Sequence, residues 1–397
     1  MNKKRIIILN DYGYCNGGAA IVGITAAIGL ANFGYNVTYI CGSGPIDKEL
    51  TKTGVEIVCL NQKDILSEKN KIKAIFRGIW NLKAYRTVKN LISKEENNDC
   101  IVFVHQYSKI LSASIFKALS KNKSLKVYTT LHDYFTACPN GGFYNYSNNK
   151  LCRLKPLSAK CICSNCDVRN YPQKIFRCIR TYITRKCIKT IKNSYAINVS
   201  ELNKNILEPY TSKLFDKMTI IYNPIQLYQG PKINFPNNKY YIFLGRLSEE
   251  KGIRLFCKAM TELNLEGVVL GDGPLLDEMK SSYSNIKFVG WCNNETKDYW
   301  LNQAKCLIFP SLVHETFGLA IVEALSYGIP CIMSTECGAS SLIKDGINGY
   351  LFPIGNYQEL VKKIHFFENN MIEFDSNIDF NTFTLNSYIQ KIENLFL

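Results

Sequence analysis

Two glutamates eight positions apart, Glu315 and Glu323, are the residues whose types and spacing point most directly to chemistry. They belong to the stretch Pro310-Ser311-Leu312-Val313-His314-Glu315-Thr316-Phe317-Gly318-Leu319-Ala320-Ile321-Val322-Glu323-Ala324. The apolar run 306–309 ahead of it reads as a buried parallel strand. Residues 317–327 have helical spacing, and a second strand is expected at 329–333. A strand, a loop and a helix in that order place the first helical amides at the carboxyl edge of a parallel sheet. Anions settle there, because unpaired N–H groups and the helix dipole favour negative charge. Carboxylates at such a place can only accept, so they must face hydroxyls. A ligand carrying both phosphates and hydroxyls satisfies both demands, and a nucleotide diphospho-sugar is one. Glu315 would then take sugar hydroxyls and Glu323 the ribose diol. The amides of Phe317, Gly318 and Leu319 would take the sugar and the distal phosphate. The plainer reading of the two glutamates alone is a capped surface helix with solvated carboxylates.

Further candidates lie upstream. The run Gly245-Arg246-Leu247-Ser248-Glu249-Glu250-Lys251-Gly252 follows a strand-like segment at 240–244. Two cations five positions apart can grip a pyrophosphate from two sides, Arg246 as a planar fork and Lys251 as a point charge. Salt bridges to Glu249 or Glu250 are the alternative. Strand-like 100–104 ends at His105 and 126–131 ends at His132-Asp133, so two of the chain's four histidines sit where open α/β sheets bind ligands.

The pattern P-S-x-x-x-E-x-F-G-L-x-x-x-E-A, the G-R-x-x-x-x-K-G run and the turn Asp345-Gly346-x-Asn348-Gly349 resemble the retaining glycosyltransferases of family 4. The likeness is strong over 240–352 and looser over 1–235, where Tyr222-Asn223-Pro224 is similar to the family's segment closing the first domain. It implies an α/β chain of the GT-B class, with two Rossmann-like domains facing each other across a cleft. It also implies transfer of a hexose-type sugar, with retained configuration, from a nucleotide-diphosphate sugar to a glycan or polyprenyl-pyrophosphate-linked acceptor. Bacterial surface polysaccharide (O-antigen, capsule or exopolysaccharide) is the setting expected. On this likeness His132, Glu315, Arg246 and Lys251 form the catalytic set. Gly17, Gly18, Gly271, Phe317, Gly318, Leu319 and Glu323 join Arg246 and Lys251 around the donor. With no D-x-D sequence, no catalytic divalent metal is expected on the diphosphate.

The elements that must position these residues follow a βαβ order. A strand at 5–10, a glycine-bearing loop ending at Gly17-Gly18, a helix at 23–33 and a strand at 36–41 open the chain. Three segments are expected: an acceptor domain at 1–230, a donor domain at 240–375, and a closing helix at 376–397 crossing back to the first domain. An insertion at about 138–178 holds Cys138, Cys152, Cys161, Cys163, Cys166 and Cys178. Its spacing suggests a structural zinc site on Cys138, Cys152, Cys161 and Cys166, with reduced free thiols as the alternative.

With 46% hydrophobic and 20% charged residues the chain is globular rather than disordered. Its net charge of +15 is unevenly spread. Residues 1–235 hold 35 Lys and Arg against 14 Asp and Glu, whereas 236–397 hold 13 against 19. A basic half suits an anionic lipid, a nucleic acid or a pyrophosphate-bearing substrate. Residues 69–93 and 174–192 alternate Lys or Arg with Ile and aromatic residues at helical spacing, as helices lying on an anionic membrane do. A core-facing helix with a solvated basic face is the competing reading for each. The leading apolar run is too short for a secretory signal, and 17–33 too interrupted for a span. A cytoplasmic enzyme, peripheral on the inner face of the cytoplasmic membrane, is the expectation. Two further readings stand beside it: a nucleotide-sugar epimerase of the same architecture, and a basic nucleic-acid-binding protein, which would leave Arg246, Lys251, Glu315 and Glu323 unexplained. No nucleic-acid partner is expected.

Overall fold

The computed structural model describes residues 4–93, 100–370, 372, 374–375 and 377–396. Two compact units result, one of Met1–Asn148, Cys152–Pro224 and Leu385–Leu397, the other of Asn149–Leu151 and Ile225–Thr384.

The first unit is built on a parallel sheet of β1 (Arg5–Tyr12), β2 (Asn36–Ser43), β3 (Glu56–Cys59), β4 (Cys100–Val104), β5 (Lys126–Leu131), β6 (Asn193–Asn198) and β7 (Lys217–Ile220). Their spatial order is β3-β2-β1-β4-β5-β6-β7. Ile6, Ile7, Ile8 and Leu9 are all fully buried, so β1 is covered on both faces and shows no apolar–polar alternation. The second unit repeats the plan with β8 (Tyr240–Leu244), β9 (Gly267–Leu270), β10 (Ile286–Gly290), β11 (Ala304–Phe309), β12 (Cys331–Ser334) and β13 (Gly349–Phe352), in the order β10-β9-β8-β11-β12-β13. Each sheet therefore reverses its winding once, between β1 and β4 and between β8 and β11. Ligands of doubly wound sheets bind beyond the carboxyl ends at that reversal.

The helices used below are α1 (Gly18–Asn32), α2 (Lys71–Ile79), α3 (Leu82–Ile92), α4 (Tyr171–Ile188), α5 (Ile253–Glu262), α6 (Asn294–Leu301), α7 (Leu319–Tyr327) and α8 (Leu385–Glu393). Near the chain's end α8 lies on α1 within the first unit. A Cβ on Gly29 would come within 2.8 Å of Leu385 Cδ1, so the bare helix surface there lets Leu385 and Ile389 seat.

Two basic segments fold differently from the sequence expectation. Residues 69–93 form two helices, because Trp80 is extended and Asn81 starts α3, its side chain accepting from the Ala84 amide at 3.1 Å. Asn81 also donates to the Ile110 carbonyl at 2.7 Å, which holds the break in place. In α4 the polarity is turned around. Lys174 and Arg180 are buried, whereas Ile179 and Tyr182 face outward. Each inward cation has work inside. Arg180 donates to the Ser108 carbonyl at 2.8 Å, Arg177 pairs with Asp167 at 3.0 Å, and Arg185 donates to the Tyr210 carbonyl at 2.8 Å. Most of the basic side chains of α4 thus form an internal scaffold, while Lys186 stays exposed.

Candidate functional site

β8 and β11 are hydrogen-bonded neighbours, so the loops leaving their carboxyl ends emerge side by side at the winding reversal. The first loop is Gly245–Gly252 and the second runs from Pro310 to Gly318. They dock through their backbones: the Leu312 amide donates to the Glu250 carbonyl at 2.8 Å, and Ser311 Oγ donates to the same carbonyl at 3.2 Å. Gly252 has φ of 73°, and a Cβ there would lie 1.9 Å from the Pro310 carbonyl oxygen. Only glycine allows both that left-handed turn and that approach.

This docking brings Lys251 Nζ to 2.6 Å from Glu315 Oε1, which also accepts from Ser311 Oγ at 2.6 Å. Burial pulls the Lys251 ammonium down, but the Glu315 charge and hydrogen bond outweigh it and hold it above its ordinary range. Glu315 is fixed from a third side. Its amide donates to the Glu336 carbonyl at 2.8 Å and its carbonyl accepts from Gly338 at 3.0 Å, tying it to the loop after β12. Glu315 Oε2 has no partner among the described residues.

Glu323, on the second turn of α7, forms an ion pair with Lys297 of α6. Burial pushes its carboxyl up while Lys297 pulls it down, with a net rise. Here too one oxygen, Oε1, is committed to a cation, and Oε2 has no partner among the described residues. The arrangement answers the puzzle of two carboxylates beside a helix start. Each is neutralised by its own lysine and keeps an oxygen open to a hydroxyl. Gly318, with φ of 98°, forms the N-cap of α7, and its bare Cα leaves room for Cys337 Sγ, which would sit 2.6 Å from a Cβ. Phe317 is buried, and Leu319 is the first residue of the helix.

Arg246 is exposed and, among the described residues, makes no ion pair. The acidic neighbours that could have claimed it are engaged elsewhere, since Arg254 of α5 binds Glu249 at 2.8 Å and Glu278 at 2.6 Å. Gly271 is pressed against backbone, a Cβ there standing 1.9 Å from the Gly245 carbonyl oxygen, so it shapes the Arg246 loop from below.

In the first unit, the carboxyl ends of β1, β4 and β5 gather a second polar group. His105 Nδ1 lies 2.9 Å from His132 Nε2, with His105 buried and His132 half-buried. Asp11, at the end of β1, is fully buried and accepts from the Lys109, Ile110 and Leu111 amides at 2.7, 3.0 and 2.8 Å. Burial pushes its carboxyl up to about 6 against the pull of those amides. Gly17 is exposed with φ of 100° at the start of α1, beside Gly18, and nothing in the unit stands within 4 Å of its missing Cβ.

The family model described as "Glycosyl transferases group 1" matches residues 229–382, which contain the whole Lys251–Glu315 arrangement. The chain carries a glycosyl transferases group 1 domain. Curated relatives extend the likeness. An Escherichia coli "UDP-Gal:alpha-D-GlcNAc-diphosphoundecaprenol alpha-1,3-galactosyltransferase" is 28% identical over 180 residues, 41% of this chain and 46% of its own length. An uncharacterised 42.6 kDa protein of the Klebsiella pneumoniae cps region is 26% identical over 359 residues, 85% of this chain and 87% of its own. The alignments with the first three curated relatives span 49%, 38% and 66% of those proteins. Among solved structures, Anabaena HepE in complex with UDP and glucose superposes with a TM-score of 0.65 at 16% identity, covering 99% of both chains. The fold is therefore that of the GT-B enzymes, with two Rossmann-like units.

Outside the group 1 domain, the cysteine-rich segment departs from expectation. Cys138, Cys152, Cys161 and Cys166 do not form a zinc site: among the described residues no set of three or more His, Cys, Asp or Glu is arranged to hold a metal. The physical reason is Lys174. Its fully buried ammonium lies 3.1 Å from Cys166 Sγ and 3.5 Å from Cys161 Sγ, a cation where the metal would have stood. Nothing in the spacing of cysteines announces a lysine from a helix eight residues further on. Lys297 was likewise invisible as the partner of Glu323, because that pairing joins two helices that only the fold brings together.

Gly252→Ala tests the loop docking. The left-handed turn alone costs a residue with a side chain about 1–2 kcal/mol, and the overlap with Pro310 adds to it. The expected result is a lower melting temperature by several degrees, read by circular dichroism; an unchanged melting temperature contradicts the docking described.

Proposed function

We propose that the chain is a retaining glycosyltransferase of family 4. It moves a sugar from a nucleotide-diphosphate sugar to a glycan or polyprenyl-pyrophosphate-linked acceptor during assembly of a bacterial surface polysaccharide. One observation carries the reading: two lysine-neutralised carboxylates, each with an open oxygen, stand beside a helix start and an exposed arginine at the winding reversal of one sheet. Hydroxyls suit the open oxygens, and a diphosphate suits the cations and amides. The E. coli relative is named for UDP-Gal and the Anabaena neighbour was solved with UDP and glucose, which supports a donor of this chemistry.

In this reading Glu323 Oε2 accepts from the ribose diol and Glu315 Oε2 from sugar hydroxyls. Arg246, Lys251 and the amides of α7 meet the diphosphate. As the anomeric bond breaks, negative charge gathers on the leaving phosphate, where these fixed cations and dipoles already point. The incoming hydroxyl attacks from the face the phosphate leaves, and that phosphate takes its proton. The family resemblance adds His132, Gly17 and Gly18 to the residues assigned to the donor.

The acceptor's lipid carrier places the enzyme at the inner face of the cytoplasmic membrane. No helix among the described residues is long and apolar enough to cross a membrane. A surface contact is supported instead by α2, which buries only Ala74 and Gly78 and leaves Ile72 and Phe76 69% and 71% exposed beside Lys71 and Lys73. Apolar tips between lysines suit an anionic bilayer surface.

Screening nucleotide sugars for nucleotide release, with and without a polyprenyl-pyrophosphate-linked acceptor, is the test. One donor should turn over, the product should keep the donor's anomeric configuration by NMR, and Glu323→Ala should bind that donor roughly tenfold or more weakly, as loss of a hydrogen bond to a charged group requires. An inverted product, or full affinity in Glu323→Ala, contradicts the assignment. For the membrane face, Ile72→Ser with Phe76→Ser should reduce flotation with vesicles containing anionic phospholipid by tenfold or more, since burying one such side chain contributes about 1.5–3 kcal/mol. Equal flotation would rule out α2 as the contact.

A further inference from the structure

The sequence places His105 just past the strand-like run 100–104 and gives it no place in the catalytic set. In the fold it is pinned. Its amide continues the β1 ladder by donating to the Leu9 carbonyl at 2.9 Å, and it is only 3% exposed. A Cβ on Gly23 of α1 would come within 3.4 Å of its ring, so a glycine is what lets α1 cover it. The rings of His105 and His132 lie 22° from parallel with centroids 5.2 Å apart.

We infer that His105 is a positioning residue, whose Nδ1–H donates to His132 Nε2 and holds that imidazole neutral and in one orientation. The role rests on the glycosyltransferase reading, in which His132 approaches the donor sugar. Proton counting gives the direction of the bond. One hydrogen must lie between the two nitrogens, and each neutral ring carries one. Were it supplied by His132, His105 would bear its own proton on Nε2, a buried atom with no partner among the described residues. An orphaned buried N–H costs about 1–3 kcal/mol, and bare acceptors are better tolerated. The proton therefore sits on His105 Nδ1, and His132 keeps its own on Nδ1.

The pair also resists a second proton. On His132 it would set two N–H groups against each other, and on His105 it would place a buried charge on Nε2. Burial accordingly lowers His105 to about 4 and drives His132 well below the usual histidine range, with His105 adding to the latter. The groups packed around them fit this state. Asn10 on β1 and Gly23 on α1 are uncharged, while Asp11, Asp133, Tyr107 and Arg180 lie in the same layer and act on one another. A neutral ring matters for the chemistry, because a sugar losing its leaving group gathers positive charge at the anomeric carbon. A cationic imidazole against it would oppose that charge.

The test compares His105→Asn, which keeps an N–H donor near the Nδ1 position, with His105→Ala and His105→Leu, which remove it; Leu also preserves volume should Ala fail to fold. Nitrogen-15 histidine NMR of the full chain reads the protonation of His132 directly. In the parent and His105→Asn, His132 should stay neutral down to pH 5. In the Ala or Leu variant burial still holds it down, but its titration should move up from the parent's because the N–H facing Nε2 is gone. The donor kcat/KM of that variant should then fall about tenfold per pH unit below its new titration point, while the parent and Asn profiles stay flat over the same range. A His132 that titrates no higher in the Ala or Leu variant than in the parent, or an Asn variant that behaves like Leu, overturns the inference. If the parent turns over no nucleotide sugar, the functional reading alone fails, and the NMR comparison still decides the histidine pair.

Discussion

Gly252 has to stand against the carbonyl of Pro310, and much of the second unit follows from that contact. It exists because β8 and β11 are neighbours at the point where the sheet reverses its winding. It leaves no room for a side chain, and it sets Lys251 against Glu315. The loop after β12 then closes on the Glu315 backbone from the other side, so the residue is held between two segments distant from it in sequence. A charged group fixed in this way does not have to be reorganised when a ligand arrives. The pairing with lysine also removes the conflict between two acidic residues and a helix start that favours anions.

The first unit manages polar groups by the same principle, with different chemistry. Asp11 ties the segment after β4 to the end of β1 through three amides, and that segment begins at His105. Arg180, inserted from α4, supports it from behind by capturing the Ser108 carbonyl. The basic residues of α4 thus do structural work that composition alone would assign to a surface. The surplus positive charge of this half is in part used internally, while α2 presents lysines and apolar tips outward.

Legibility followed the physics of locality. Strands buried on both faces appear as unbroken apolar runs, so β1, β4, β5, β8 and β11 could be read directly, whereas their order in each sheet could not. The loop motifs of Glu315 and Lys251 were also readable, because each is contiguous. What could not be read were partners joined only by the fold: Lys297 with Glu323, and His105 with His132. The short strand β3, with only Glu56–Cys59, and the break at Asn81 lack any period long enough to show. The cysteines misled for a related reason. Their spacing describes a metal site well, and only the fold shows Lys174 buried among them.

The proposed function requires that a diphosphate be held where Lys251 and Glu315 meet. It is tested most directly by isothermal titration of uridine, guanosine, adenosine and thymidine diphosphates into the parent chain and into Lys251→Ala. One diphosphate should bind clearly better than its monophosphate, and Lys251→Ala should erase most of that difference while the protein keeps its melting transition. A folded Lys251→Ala that binds the same diphosphate as tightly as the parent would contradict it.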